Sequence, residues 1–222
     1  MTTIRVVLID DQDLVRAGIG AILEQAGDIE VVAEGTDGIE ALPLVRTHRP
    51  DVLLMDLRMP KMNGVRATEL VRALDDPPPV LVLTTFEDDA SVLSALRAGA
   101  GGYLVKSLRP EQLIAAVRSA TTGDAVLTAP VLDRLVTRTR TACPGLFAAE
   151  RSRITLLSDR ERQVLDRIGR GMANDDIAAE LGMRPTSVRT YVSRLLAKLG
   201  TANRTQAALA AYEERLAEGG PA

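Results

Sequence analysis

The sequence predicts an α/β chain in two parts: a doubly wound, five-stranded parallel sheet followed by a small all-helical domain. Three observations predict it. Short runs rich in Val, Ile and Leu alternate with helical patterns over residues 1–122. Runs of that length, mostly unbroken by polar residues, suit parallel strands covered on both faces. From Ser158 onward only helix signals remain, punctuated by glycines.

In order, the strand signals are 4–9, 31–34, 51–55, 80–84 and 103–105. The helical patterns are 14–25, 38–47, 65–74, 90–98 and 111–120. In the first of these Leu14, Val15, Gly18, Ile19, Ile22 and Leu23 mark one face. Pro110 falls where a first-turn proline is tolerated. Pro43 lies inside the second pattern and removes a backbone donor, so a kink or a short helix is expected there. Five βα units of this size place their ligand crevice beyond the carboxyl ends of the strands. Residues 123–154 change character, with scattered Thr and Arg and the Cys143-Pro144-Gly145 break. They read as a linker, with one helix over 131–136 capped by Thr128. Ser158 and Glu161 form a capping box that opens the helical domain, 155–222. Asn174 is expected to cap a second short helix, Gly182 to turn the chain, and Pro185 to open a third helix that ends near Leu199. A fourth covers roughly 205–216. A short helix, a glycine turn and a longer basic helix make the helix-turn-helix layout.

Composition narrows the function classes. The 222 residues are 46% hydrophobic and 26% charged, which suits a globular chain. No apolar run approaches the ~20 residues that span a bilayer. The N-terminus lacks a signal-peptide pattern, and the chain is expected to be cytoplasmic, with no membrane partner. One cysteine and one histidine leave no His/Cys zinc set. His48 ends the second helix, away from the strand tips, and reads as a solvated helix-end residue. The first 122 residues carry 18 acids against 12 bases, a net of −6, whereas 184–200 hold four bases and no acid. A basic stripe on one helix of an acidic chain points to an anionic partner for that element.

The chemistry gathers at strand ends. Asp10 and Asp11 follow the first strand, Asp56 ends the third, Thr84 ends the fourth, and Lys106 lies just past the fifth. Three carboxylates in one crevice repel unless a cation joins them, and oxygen-only ligation favours Mg²⁺ over zinc. A lysine and a hydroxyl at the same rim suit a phosphoryl group on one carboxylate. Ile9-Asp10-Asp11-Gln12-Asp13, Met55-Asp56-Leu57-Arg58-Met59-Pro60 with Gly64, Leu83-Thr84-Thr85-Phe86, and the run from Ala98 to Lys106 resemble the receiver domain of two-component response regulators. The resemblance covers 4–121. It implies sheet order 2-1-3-4-5, with Asp56 accepting a phosphoryl group from a sensor histidine kinase. Mg²⁺ would be held by Asp10, Asp11, Asp56 and the main-chain carbonyl of Arg58. Lys106 would pair with the phosphate, and Thr84 and Tyr103 would form the switch.

The segments 157–165, 171–181 and 187–200 resemble the LuxR-type helix-turn-helix, and the whole chain resembles the NarL/FixJ family. Ile177, Ala178, Leu181, Val188, Val192, Leu195, Leu196 and Leu199 repeat at helical spacing as a core. The other face carries Arg189, Thr190, Ser193, Arg194 and Lys198, the candidate reader of double-stranded DNA. The resemblance puts Arg189, Thr190 and Ser193 at base-facing positions. It implies that the fourth helix, with Ala207, Ala208, Ala211 and Tyr212, pairs two subunits on inverted-repeat sites once the receiver is phosphorylated. Arg189, Tyr191 and Arg184 stand where Lys, His and Ser are commoner, so no particular DNA sequence carries over. Two other readings stay open: an enzyme with an aspartyl-phosphate intermediate, and a receiver acting through protein contacts alone. Against the first, a haloacid-dehalogenase-type enzyme has a second Asp where this chain has Arg58. Against the second stands the basic helix. The resemblance also places Arg58 and Phe86 beside the path of attacking water. Neither can act as its base, so slow self-dephosphorylation is expected.

Overall fold

The computed structural model describes residues 3–84, 89–123 and 148–217, without the side chains of 89, 216 and 217. Phe86, Thr128, the 131–136 pattern and Cys143 lie outside the described residues. The chain divides into two compact units near residue 126.

In the first unit, β1 (Ile4–Ile9), β2 (Ile29–Gly35), β3 (Val52–Asp56), β4 (Val80–Thr84) and β5 (Gly102–Val105) form one parallel sheet in the order β2-β1-β3-β4-β5. Helices α1 (Asp13–Glu24), α2 (Ala41–His48), α3 (Gly64–Arg72), α4 (Asp89–Arg97) and α5 (Pro110–Thr122) connect the strands. All of β3 and β4 is buried, as their unbroken apolar runs require. On one face Val6, Leu8, Leu54 and Leu83 pack with Leu23 of α1 and Val117 of α5. Pro43 divides its pattern in two: a 3₁₀ turn at Gly38–Glu40, then an eight-residue α2 with Pro43 in its first turn, where no backbone donor is needed. The carbonyl of His48 accepts a hydrogen bond from the Arg5 guanidinium at 2.8 Å, near the start of β1 and so at the opposite end of that strand from Asp10.

The second unit contains α6 (Ala148–Ser152), a 3₁₀ turn (Arg153–Leu156), α7 (Asp159–Gly169), α8 (Asn174–Leu181), α9 (Pro185–Leu199) and α10 (Arg204–Ala217). Residues 148–154, read from the sequence as linker, are helical here. Ile154 is buried, and the Arg153 guanidinium donates to the carbonyl of Leu199 at the end of α9 at 3.0 Å. Gly200 lies against that guanidinium so closely that a Cβ would collide with it. The sequence also misplaces Asn174. Ala173 is the N-cap of α8, and the buried Asn174 carboxamide accepts from Arg204 at 2.5 Å. Arg204 donates as well to the carbonyl of Met172. A buried guanidinium needs acceptors, and this need recruits Asn174 away from its own helix. The small residues of α10 are used within the chain: Ala207, Ala208 and Tyr212 are buried, and Ala211 packs where a Cβ on Gly169 would touch it.

The capping box at α7 forms as expected, and tertiary structure extends it. The buried Glu161 carboxylate accepts from the N–H and the hydroxyl of Ser158, both at 2.8 Å, and from the Lys198 ammonium at 2.7 Å. Lys198 above all, then Ser158, hold the Glu161 carboxyl down to about 2 against the opposing effect of burial. A folded-state value below the unfolded one stabilises the fold above the unfolded pKa, and that contribution is lost as pH falls from about 4.5 towards 2. Glu161→Gln should therefore cost the helical unit about 1–2 kcal/mol at neutral pH, a range that allows for solvent screening at the partly exposed Lys198. Chemical denaturation across pH checks it: the gap between variant and parent should close as the medium is acidified through this window.

Candidate functional site

Strand register builds the first site. Ile9 pairs with Met55, so the next residues, Asp10 and Asp56, lie side by side at the strand tips. The N–H of Asp10 continues the ladder to Gly35 at 3.1 Å. The N–H of Lys106 donates to the carbonyl of Thr84 at 2.8 Å, which sets these two residues on neighbouring tips of β4 and β5. Ligand oxygens of Asp10, Asp11 and Asp56 lie within 4.8 Å of one another. Asp10 is fully buried, Asp56 is 4% exposed and Asp11 is open to solvent. The Lys106 ammonium stands 2.7 Å from Asp10 Oδ2 and 3.1 Å from Asp56 Oδ1.

The electrostatics follow from burial. Desolvation, with a smaller push from Asp10, raises the Asp56 carboxyl above the ordinary range even though Lys106 pulls it down. Burial alone would lower Lys106, but Asp10 and Asp56 outweigh it and hold the ammonium charged beyond its usual range. Thr84 is buried at its strand tip. Tyr103 pairs with Val82, and Thr84 with Val105, so the alternation of side chains puts Tyr103 and Thr84 on one face of the sheet. Arg58 follows β3 in the loop that leads to α3, its side chain exposed. The donor set is all oxygen, and Asp10 Oδ2 is buried without a well-aligned hydrogen bond. One ammonium among three carboxylates leaves a net negative charge, so the site fits a hard divalent cation such as Mg²⁺.

Sequence reasoning missed one support of this crevice. Arg16, one turn into α1, donates to the Asp10 carbonyl at 2.8 Å and pairs with Asp13 and Glu34. Only its i,i+3 spacing from Asp13 was visible in the sequence.

In the second unit Gly182, with φ +61°, turns the chain from α8 into α9. Val188, Val192, Leu195 and Leu199 face the core, while Leu181 and Leu196 are half-buried. The opposite face exposes Arg189, Thr190, Ser193, Arg194 and Lys198. The hydroxyls of Thr190 and Ser193 bond back to the carbonyls of Thr186 and Arg189. Arg184 stands at the N-cap without a side-chain cap bond, as its replacement of a serine suggested. Lys198 differs from the other four, because its ammonium is already paired with Glu161.

Comparison with known proteins agrees with this division. Residues 6–118 match the response regulator receiver domain, and residues 155–211 match the luxR family of bacterial regulatory proteins. The chain belongs to the two-component response regulators. The transcriptional regulatory protein LiaR of Bacillus subtilis is 38% identical over 214 residues, covering 96% of this chain and 99% of the relative. A probable transcriptional regulatory protein NarL of Mycobacterium tuberculosis is 37% identical over 213 residues, 96% of this chain and 95% of its own. Among solved structures, the response regulator ChrA of a heme-sensing two-component system matches with a TM-score of 0.55 at 36% identity, over 97% of this chain and 100% of that one. This response regulator thus joins a receiver to a LuxR-type DNA-binding domain, the architecture of a transcription regulator. Among its described residues no helix is long and apolar enough to cross a membrane.

The crevice yields a prediction. Lys106→Met removes the cation that opposes burial at Asp56, so titration of the Asp56 carboxyl should move further upward in metal-free protein. Carbon-13 shifts of the carboxyl groups, followed against pH, measure it.

Proposed function

We propose that this response regulator is switched by phosphorylation of Asp56 and then binds DNA through α9. The observation that carries the reading is the Asp10–Lys106–Asp56 arrangement at the strand tips, with Thr84 beside it. An Asp56 carboxylate oxygen attacks the phosphorus of a phosphoryl donor, a sensor histidine kinase in the cell; the bond from phosphorus to the donor's leaving atom breaks, and that atom keeps the electron pair. Asp10, Asp11, Asp56 and the Arg58 carbonyl would hold Mg²⁺, which would neutralise charge on the transferring oxygens. Lys106 pairs with the phosphoryl oxygens once they share its carboxylate, and the Thr84 hydroxyl moves to donate to them. Tyr103, on the same face, follows Thr84 and carries the change outward. The protein accepts a phosphoryl group and slowly loses it, without turnover of a substrate.

On this reading the receiver covers 1–122, a linker 123–154 and the DNA-binding domain 155–222. Phosphorylation shifts the population towards a homodimer that engages inverted-repeat sites on double-stranded DNA. Arg189, Thr190 and Ser193 face bases, and Arg194 and Lys198 face phosphates. The protein acts in the cytoplasm, where kinase and DNA are both at hand.

Asp56→Asn keeps the shape and loses the nucleophile. It should take no label from acetyl phosphate with Mg²⁺, and stoichiometric labelling of the variant would sink the assignment. On DNA, Arg189→Ala should cost ~1–3 kcal/mol and relax preference at one base pair per half-site. Lys198→Ala should weaken all sequences alike and also destabilise the helical unit, since it strands Glu161. Binding to a randomised library, beside denaturation of the same proteins, separates the two effects.

A further inference from the structure

Asp37 lies outside the acidic crevice, between β2 and α2, and is buried. Its carboxylate caps the 3₁₀ turn locally, with Oδ1 accepting the N–H of Ile39 at 3.1 Å. Two further bonds cross to the loop between β3 and α3: Oδ1 accepts the N–H of Met62 at 3.1 Å, and Oδ2 accepts the N–H of Lys61 at 2.9 Å. The next residue packs against the same loop, at the following peptide unit. A Cβ on Gly38 would stand 2.4 Å from the Met62 carbonyl oxygen, so only a glycine allows this approach. At the far end of the loop the Gly64 N–H closes on the Leu57 carbonyl at 3.0 Å, and a Cβ there would strike the Asp56 carbonyl at 2.0 Å. The loop from 57 to 63 is thus fastened at two points, and Arg58 lies between them. Charge-assisted bonds from a buried carboxylate to backbone N–H groups are about twice as strong as neutral ones. A helix cap alone needs only one of the three.

We propose that Asp37 is a positioning residue for the cation site: by holding the backbone of Lys61 and Met62, it keeps the loop that carries Arg58 in the conformation in which its main-chain carbonyl serves the cation. This rests on the reading that Asp10, Asp11, Asp56 and the Arg58 carbonyl bind Mg²⁺. Asp37 touches neither the cation nor the phosphoryl group, and acts through the loop.

The test uses the full chain and three variants. Asp37→Ala removes all three bonds. Asp37→Ser keeps a cap for Ile39 but lacks the reach and the second oxygen. Asp37→Asn keeps one acceptor oxygen and turns the partner of Lys61 into a donor. Amide hydrogen exchange without metal, read by NMR at Lys61 and Met62, reports the bonds, and calorimetric titration with MgCl₂ reports the site. Asp37→Ala and Asp37→Ser should expose both amides and weaken Mg²⁺ binding by at least about tenfold, the lower end for loss of an outer-shell partner. Asp37→Asn should expose Lys61 more than Met62 and fall between. Circular dichroism checks that the sheet persists; should Asp37→Ala not fold, the Ser and Asn variants decide. A folded variant with both amides exposed and parental Mg²⁺ affinity overturns the positioning role. If the unaltered protein binds no Mg²⁺, the reading of the crevice fails first and takes this role with it.

Discussion

Burying a carboxylate costs several kcal/mol unless a counter-charge goes with it, and the first unit buries two side by side. Asp10 and Asp56 come together because β1 and β3 pair in register up to Ile9 and Met55, the residues just before them. Lys106 compensates part of that charge from the tip of β5. The rest of the unit follows from this demand. The sheet must be parallel, so that every strand delivers its carboxyl end to one edge. Its interior must be apolar throughout, so that the charges have nowhere else to go. The negative charge left uncompensated is what the proposed cation and phosphoryl chemistry would draw on.

Around that centre stands a shell of backbone fasteners. Arg16 holds the Asp10 carbonyl, Gly64 lets α3 start directly against the end of β3, and Asp37 secures the intervening loop. None of these groups is itself part of the crevice. Their common feature is a charged or side-chain-free residue meeting backbone, which fixes main-chain atoms more tightly than apolar packing does. On the proposed reading the Arg58 carbonyl depends on such fasteners, because no side chain can be selected to adjust a main-chain ligand.

The helical unit meets a similar constraint by different means. Helix α9 is anchored along one face while the other stays open. The inner face of α9 gives four buried aliphatic anchors, and its C-terminal end is held by polar groups from elsewhere: Glu161 takes Lys198, and Arg153 takes the last carbonyl of the helix. Arg204 fastens the start of α8 in the same manner. Arginine and lysine therefore serve two purposes here. Arg189 and Arg194 face outward, whereas Lys198 divides its charge between the fold and the exposed surface.

Much of this was legible in the sequence. Unbroken apolar runs gave the strands, glycines and Pro185 the helical turns, and the spacing of Asp10, Asp56, Thr84 and Lys106 at strand ends gave the crevice. Local rules suffice there because period and punctuation are local properties. The Ser158–Glu161 box was equally plain, since its partners are three residues apart. Tertiary structure alone decided what long-range partners do with the same residues. Asn174 looked like a cap until the buried Arg204 claimed it, and Lys198 looked like a free basic residue until Glu161 drew it in. Nothing in the sequence links Asp37 to Lys61 and Met62. The helical conformation of 148–154, and the hold of Arg153 on the end of α9, were hidden for the same reason. Sequence patterns record which residues prefer a conformation, but a buried charge must find its partner wherever the fold brings one.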